Sequence, residues 1–415
     1  MLIVSLDEKQ VEITPIEYDA DCPFKYNNFV YRAALTSPTI ANSGASNETK
    51  QQPGCAMIPE GVTQFIVRLP NPDAEGMNTS NRVENEVAII SLASAALAHL
   101  EQKVVPSVYG WGSAAGASPQ GWILQELMPG TPVDAGFRTM DLQQKKAIFA
   151  QMAEILDALQ KYQLPQTITG FGGLTFDQSG NTVSATMTSV DAGPWPSYEA
   201  SFQGRLKVAI AEADKSPIIR GWRNNGVRER IDAFVESGLP AQFLSLASKQ
   251  DKCVVHADFT TNNMLYDPKS QRITALLDYD FACISHPSYE FFRSFNGCGG
   301  QFGGWPGDED NDLLALQDYK LHGFPSPLPL SSNTDGVKWE DMKAWEDELE
   351  RVQVQRPRTT QGIEKAADVD AVLQMIIPWR ITNPDILRLQ PEESTMKCRD
   401  ENEEQLVKML DHLGF

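Results

Sequence analysis

The segment His256-Ala257-Asp258-Phe259-Thr260-Thr261-Asn262-Asn263, followed downstream by Leu276-Leu277-Asp278-Tyr279-Asp280, supplies a proton acceptor, an amide and a carboxylate on two short stretches of chain. Phosphoryl transfer needs that set. A nucleoside triphosphate is handled with Mg²⁺ bridging its outer phosphates, and a protein grips such an ion through one or two oxygen ligands. Asn263 and Asp278 have that chemistry. Transfer to a hydroxyl also needs a carboxylate that orients the hydroxyl and takes its proton, and Asp258, just ahead of Asn263, is the candidate base. The alternative is that Asp258 and Asp278 are turn acids at the surface. It leaves unexplained why both segments adjoin apolar runs, Cys253-Val254-Val255 and Ile273-Thr274-Ala275-Leu276-Leu277.

The elements that must position these residues differ between the two ends of the chain. Alternating, β-branched patterns predict strands at 11–16, 28–35 and 64–69. The polar stretch 37–61 reads as a mobile insertion between the second and third. Helical spacing of Val83, Val87, Ile90 and Leu97 predicts a helix over 82–100, with Asn81 as its cap, and strands at 104–112 and 122–127 complete a sheet. The Pro/Gly-rich segment 128–132 reads as a linker. Beyond it the pattern is mainly helical, with helices expected at 141–164, 198–213, 227–236, 241–249, 288–295, 338–352, 363–375 and 401–413.

With H-A-D-x-x-x-x-N, a hairpin turn at Asp267-Pro268-Lys269-Ser270, and L-L-D-Y-D in place, the chain resembles the aminoglycoside phosphotransferase and choline kinase superfamily. Glu86-Val87-Ala88 and Gly193-Pro194-Trp195-Pro196-Ser197-Tyr198 add to the likeness, the latter to fungal-type members. The resemblance runs from about 15 to about 295. It implies an α+β, bilobal protein-kinase-like fold: a small β-rich N-lobe with one helix over 1–127, and a larger, mainly helical C-lobe over 128–415. It also implies Asp258 as catalytic base, Asn263 and Asp278 as Mg²⁺ ligands, and His256 as a structural brace. The strand before the hinge would offer backbone groups of Glu126, Leu127 and Met128 to the base of ATP or GTP.

Two departures stand out. The family's third strand carries a phosphate-gripping lysine, whereas this chain has Arg68 there; it keeps the charge with a longer planar head, and Glu86, ahead of Glu84, is its expected helix partner. The loop between the first two strands has no glycine, so Lys25, Tyr26 and Asn27 are the candidates for covering the phosphates. The glycine-rich 297–304 follows a predicted helix instead of a strand and reads as loop. For the acceptor, the resemblance points between the helical insert and the C-terminal helices, to Asp191, Trp195, Glu290, Trp305, Asp308, Asp310, Trp345 and Trp379. Aromatic walls with acids suit an amine. Against this, tryptophans are common core fillers, and Glu290 matches a family acid that braces the metal loop.

A formal charge of −20 and a pI near 4.7 exclude a nucleic-acid backbone as partner, because that requires a basic footprint. A cationic small molecule fits better, although much of the acid sits in the solvated runs 307–312 and 399–404. The six cysteines are scattered without C-x-x-C pairs, so neither zinc nor a disulfide framework is expected. No apolar run is long enough to span a bilayer, and 1–8 lacks a basic, apolar leader pattern. A cytoplasmic address is expected, with the sequons at Asn47 and Asn78 silent. The sequence therefore predicts a Mg²⁺-dependent small-molecule kinase that phosphorylates a hydroxyl. A catalytically inactive nucleotide-binding or scaffold protein is the alternative, and a protein kinase lacks support because no A-P-E segment follows Asp278.

Overall fold

The structure is a computed structural model, and it describes residues 11–16, 25–40, 51–74, 77, 80–114, 120–303, 305, 311–330 and 336–415. Its first part is a five-stranded antiparallel sheet built from β1 (Val11–Pro15), β2 (Asn28–Leu35), β3 (Gln64–Pro70), β4 (Val108–Gly112) and β5 (Trp122–Glu126), in the order β1-β2-β3-β5-β4. Strand β3 is central, and its register sets Arg68 opposite Val30 on one side and Ile123 on the other. Alternation turns Ile66, Arg68 and Pro70 to the same, buried face. Between β3 and β4 runs helix α1 (Arg82–Ala96), apolar on nearly all sides and therefore buried, against β4 and β5 and against parts of the helical lobe.

The larger part opens with β6 (Thr131–Pro132), α2 (Asp134–Phe137) and α3 (Leu142–Lys161). Helix α3 begins at a reciprocal cap: the Asp141 carboxylate accepts from Gln144 N at 2.8 Å, and Gln144 Oε1 accepts from Asp141 N at 3.0 Å. Its apolar stripe, Ile148, Phe149, Met152, Ile155, Leu156 and Leu159, is buried. A hairpin, β7 (Gly173–Phe176) and β8 (Thr182–Ala185), precedes α4 (Tyr198–Lys215), α5 (Val227–Ala233) and α6 (Leu239–Phe243). The segment bearing Asp258 and Asn263 lies between β9 (Cys253–Val255) and β10 (Met264–Asp267), and the segment bearing Asp278 between β11 (Arg272–Leu276) and β12 (Cys283–Ser285). Strand β10 pairs with β11 and with β6, and β9 pairs with β12. Helices α7 (Ser288–Arg293), α8 (Asn311–His322), α9 (Trp339–Arg351), α10 (Ile363–Ile376), α11 (Trp379–Thr382), α12 (Pro384–Leu389) and α13 (Glu392–Leu413) complete the lobe.

Several expected boundaries shift for local reasons. The strand expected from 104 starts at Val108, since Pro106 has no amide for the ladder; the Val104 carbonyl instead accepts from Leu276 N at 2.7 Å. Asn81 does not cap α1 with its side chain, and its Nδ2 donates to the Thr186 carbonyl. Helix α1 stops at Ala96, α5 gives way to a π turn at Phe234–Gly238, and α13 begins at Glu392, earlier than expected, directly after Pro391. Helix α8 falls where an acidic run suggested only solvated chain, and β12 is too short to show an alternating pattern. The stretch 37–61 is anchored at both described ends: Thr39 and Val62 exchange hydrogen bonds, and Gln52, Pro53 and Ala56 bond to Trp111 and Val108. Residues 41–50, where the mobile insertion was also expected, lie outside the described residues.

Cys55, Cys253, Cys283, Cys298 and Cys398 are free thiols, and Cys22 lies outside the described residues. Among the described residues no helix is long and apolar enough to cross a membrane.

Candidate active site

The loop from His256 to Asn263 leaves β9 through Ala257, whose φ of 62° lies in the left-handed region and holds a methyl where glycine would be unstrained. Glu290 of α7 makes that turn stable. One of its oxygens accepts from His256 N at 2.7 Å and the other from Ala257 N at 2.9 Å, while Ser294 Oγ accepts from Phe259 N at 2.8 Å and donates to Glu290. His256 is fully buried, which lowers its pKa and keeps it neutral, and its Nε2 donates to the Leu277 carbonyl at 2.9 Å. His256 thus links the loop bearing Asp258 to the segment bearing Asp278.

Asp258 and Asn263 meet directly: Asn263 Nδ2 donates to Asp258 Oδ2 at 2.8 Å and to the Asp258 carbonyl at 3.0 Å. Burial pushes the Asp258 carboxyl above the usual carboxylate range, with Asn263 opposing the shift. Asn263 O in turn accepts from Leu277 N at 2.8 Å, which ties the loop to the residue before Asp278. Asp278 itself has a φ of 60° and a side chain 39% exposed, open enough to take a ligand. An amide oxygen and a carboxylate are hard donors suited to Mg²⁺, which accepts few protein ligands and completes its shell with phosphate and water. Among the described residues no group of three or more His, Cys, Asp or Glu could hold a metal ion.

Arg68 reaches this pair from the sheet. Its Nη2 lies 2.8 Å from Asp278 Oδ1, 3.3 Å from Glu86 Oε1 and 3.7 Å from Asp280 Oδ1. Burial alone would lower the guanidinium's pKa, but Glu86, Asp278 and Asp280 outweigh it and keep it charged. Burial pushes Glu86 up to about 7 against the pull of Arg68. Asp280 is closed off from solvent, its Oδ2 held by Asn28 Nδ2 at 2.7 Å and Arg82 Nη2 at 3.0 Å. Sequence reasoning missed Arg82, Asn28 and Asn85. The signal available was Arg82, Asn85 and Glu86 at helical i, i+3, i+4 spacing, a polar face on an otherwise apolar helix.

The remaining expected nucleotide contacts are dispersed. Lys25 is exposed and its amide donates to Asp385 of α12 at 2.9 Å, while the Asn27 carbonyl accepts from Asn71 N and Arg82. Glu126 donates its amide to Ser107 O and binds Lys103 and Ser107 N through its carboxylate, so neither group is directed to a nucleotide base. Met128 is buried at the end of the sheet.

The aromatic acceptor wall is not assembled. Trp345 is fully buried between Phe149 and Phe295, Trp305 packs beside His412, and Trp195 covers Gly193 and Gly204 while pairing through its backbone with Phe171. Glu290 is consumed by the brace. Of the four tryptophans expected in the wall, Trp379, 56% exposed on α11, is the most open to solvent. Pattern could not separate these tryptophans, since each flanks apolar residues and their burial is decided by long-range packing. Asp191 lies in a tight turn with a φ of 53°, and Asp308 and Asp310 fall outside the described residues.

Among solved structures, the chain is similar to the streptomycin–ATP complex of APH(2'')-IIa, at 14% identity over 97% of this chain and 94% of that one, with a TM-score of 0.49. It is also similar to ADP-bound aminoglycoside phosphotransferase APH(2'')-Ib, at 12% identity over 97% and 95%, with a TM-score of 0.47. A Plasmodium vivax ethanolamine kinase aligns at 12% identity over 98% and 84%, with a TM-score of 0.46. No curated protein sequence gives a significant match. A sequence profile described as the phosphotransferase enzyme family, APH, matches residues 39–319, more than half of the chain, and the protein belongs to that family.

Proposed function

We propose that this protein transfers the γ-phosphoryl group of ATP or GTP to a hydroxyl of a small molecule in a Mg²⁺-dependent reaction, in the cytoplasm. The observation that carries this reading is the direct contact of Asp258 with Asn263, on a loop bonded to the segment of Asp278. Asp258 orients the acceptor hydroxyl and takes its proton, and its raised pKa makes it a stronger base than a solvated aspartate. Asn263 steadies that carboxylate through Nδ2 and, with Asp278, would hold magnesium, which supplies charge neutralisation between the outer phosphates. Arg68, fixed by Glu86, directs positive charge toward the same phosphates. The chain's acidity favours a cationic acceptor such as an amino alcohol.

Incubation with γ-labelled ATP or GTP and a metabolite extract, followed by identification of the labelled product, tests the reading and names the acceptor. Asp258→Asn should slow that transfer by about 10²–10⁴-fold. A loss within about tenfold, roughly 1.4 kcal/mol of barrier, would remove Asp258 from the role of base.

A second reading, a nucleotide-binding protein without catalysis, draws support from the 2.8 Å contact of Arg68 with Asp278, which occupies a carboxylate oxygen that a metal would use. Slow ATP hydrolysis that disappears in Asp278→Ala favours the enzyme; nucleotide binding with no hydrolysis and no labelled product favours the second reading.

A further inference from the structure

Arg82 opens α1 with its side chain almost wholly buried, and one nitrogen serves three acceptors on two segments that are distant in sequence. Nη2 lies 2.6 Å from the Asn27 carbonyl, 3.2 Å from Asn28 Oδ1 and 3.0 Å from Asp280 Oδ2. Asn28 Nδ2 closes the triangle on Asp280 at 2.7 Å. The loop between β1 and β2 has no glycine to shape it; its described end at Tyr26–Asn27 is held by Arg82 and by Asn71, whose amide and Nδ2 donate to the Asn27 and Tyr26 carbonyls.

Arg82 Nε and Nη1 are shielded from solvent and have no hydrogen-bond partner. Atoms closed off in this way cannot touch a nucleotide, so Arg82 acts through the segments it holds. A lysine would keep the charge, but its flexible stem does not fix the donor in place as a planar, packed guanidinium does.

We propose that Arg82 is a positioning residue that couples the phosphate-covering loop at Asn27–Asn28 to the metal-binding segment through Asp280, so that Mg²⁺ and phosphates are gripped together. This rests on the phosphotransferase reading. Asp280, two residues past Asp278, is then a strut for the metal segment and does not itself ligate the ion. Because both anchored segments face the metal and phosphate end of the nucleotide, losing the strut weakens metal-dependent binding selectively.

The experiment compares wild type, Arg82→Lys and the charge-removing pair Arg82→Met/Asp280→Asn, which leaves no buried charge alone if Arg82→Lys folds poorly. Calorimetry measures affinity for ADP, or for GDP if wild type prefers it, in saturating Mg²⁺ and in EDTA, and melting temperature reports folding. The expected result is a loss of at least tenfold in the presence of Mg²⁺ and under threefold in EDTA, with Arg82→Lys less affected than the pair. Folded variants that bind the Mg²⁺-nucleotide within threefold of wild type, or that lose equally with and without Mg²⁺, overturn the coupling role while leaving the phosphotransferase reading intact. Wild type that shows no Mg²⁺-dependent nucleotide binding overturns both.

Discussion

On its helical side the catalytic loop rests on one buried carboxylate, Glu290, whose oxygens take hydrogen bonds from His256 N, Ala257 N and Ser294 Oγ. On its sheet side two guanidiniums and three carboxylates share a small volume, and Arg68 Nε, Arg82 Nε and Nη1, Glu86 Oε1 and Asp280 Oδ1 have no hydrogen-bond partner. Buried polar groups in folded proteins are normally paired. The satisfied region therefore sets the shape of the loop. The under-satisfied one is where, on the proposed function, Arg68 would exchange Asp278 for a phosphate.

The largest effect expected from this contrast is at Glu290. Glu290→Ala strands two buried backbone N–H groups, costing about 4 kcal/mol at roughly 1–3 kcal/mol each with the loss of charge-assisted bonds. A shift of the urea midpoint with unchanged slope measures it, and a loss under about 1 kcal/mol would contradict the brace. His286, at the entry to α7, comes next. Burial lowers it to about 4 from an unfolded value of 6.5, so the folded state binds fewer protons. Its contribution is complete above pH 6.5 and is lost as pH falls toward 4, amounting to about 3 kcal/mol. In unfolding titrations wild type should lose about 3 kcal/mol relative to His286→Phe between pH 6.5 and pH 4, and a difference that stays constant or moves in favour of wild type on acidification would show the sign to be wrong.

On the sheet side the expected losses fall on binding. Arg68→Gln should weaken Mg²⁺-ADP affinity about tenfold, or 1.4 kcal/mol. It also removes the charge that holds Glu86 down, and Glu86 already stands at about 7. A carboxyl raised above its unfolded value of 4.5 contributes stability below that pH and loses the contribution as pH rises through the folded value. The stability deficit of Arg68→Gln should therefore be larger at pH 8 than at pH 5.5, which denaturation at the two values checks. A deficit that is the same at the two values would mean that Glu86 is ionised throughout. The smallest effect is expected at Ala257→Gly: relief of the left-handed strain, about 1 kcal/mol, is offset by the freer unfolded chain and a lost buried methyl, leaving a net change under about 0.5 kcal/mol.

Much of this site was legible without coordinates. Asp258, Asn263, Asp278, Arg68 and Glu86 come together as their motifs imply, because each motif is local and bounded by an apolar strand or helix. The tryptophans were not legible. Trp345, Trp305 and Trp195 fill packing gaps that exist only once α3, α7, α9 and α13 are docked. The pairing of the Glu126 amide and carboxylate with Ser107 and Lys103 was not legible either, because it depends on a sheet edge that sequence does not reveal.

The sequence alone determined which functional groups are brought near one another: two carboxylates and an amide at fixed spacing, and an arginine and glutamate on neighbouring elements, since covalent spacing and hydrophobic period fix which groups share a loop or a face. Only the tertiary structure decided how charge is compensated between distant segments. Asn27 and Asn28 converge with Arg82 and Asp280, and Glu290 with His256, across separations that local pattern cannot report. Their energies depend on burial, which exists only when the two lobes are packed together.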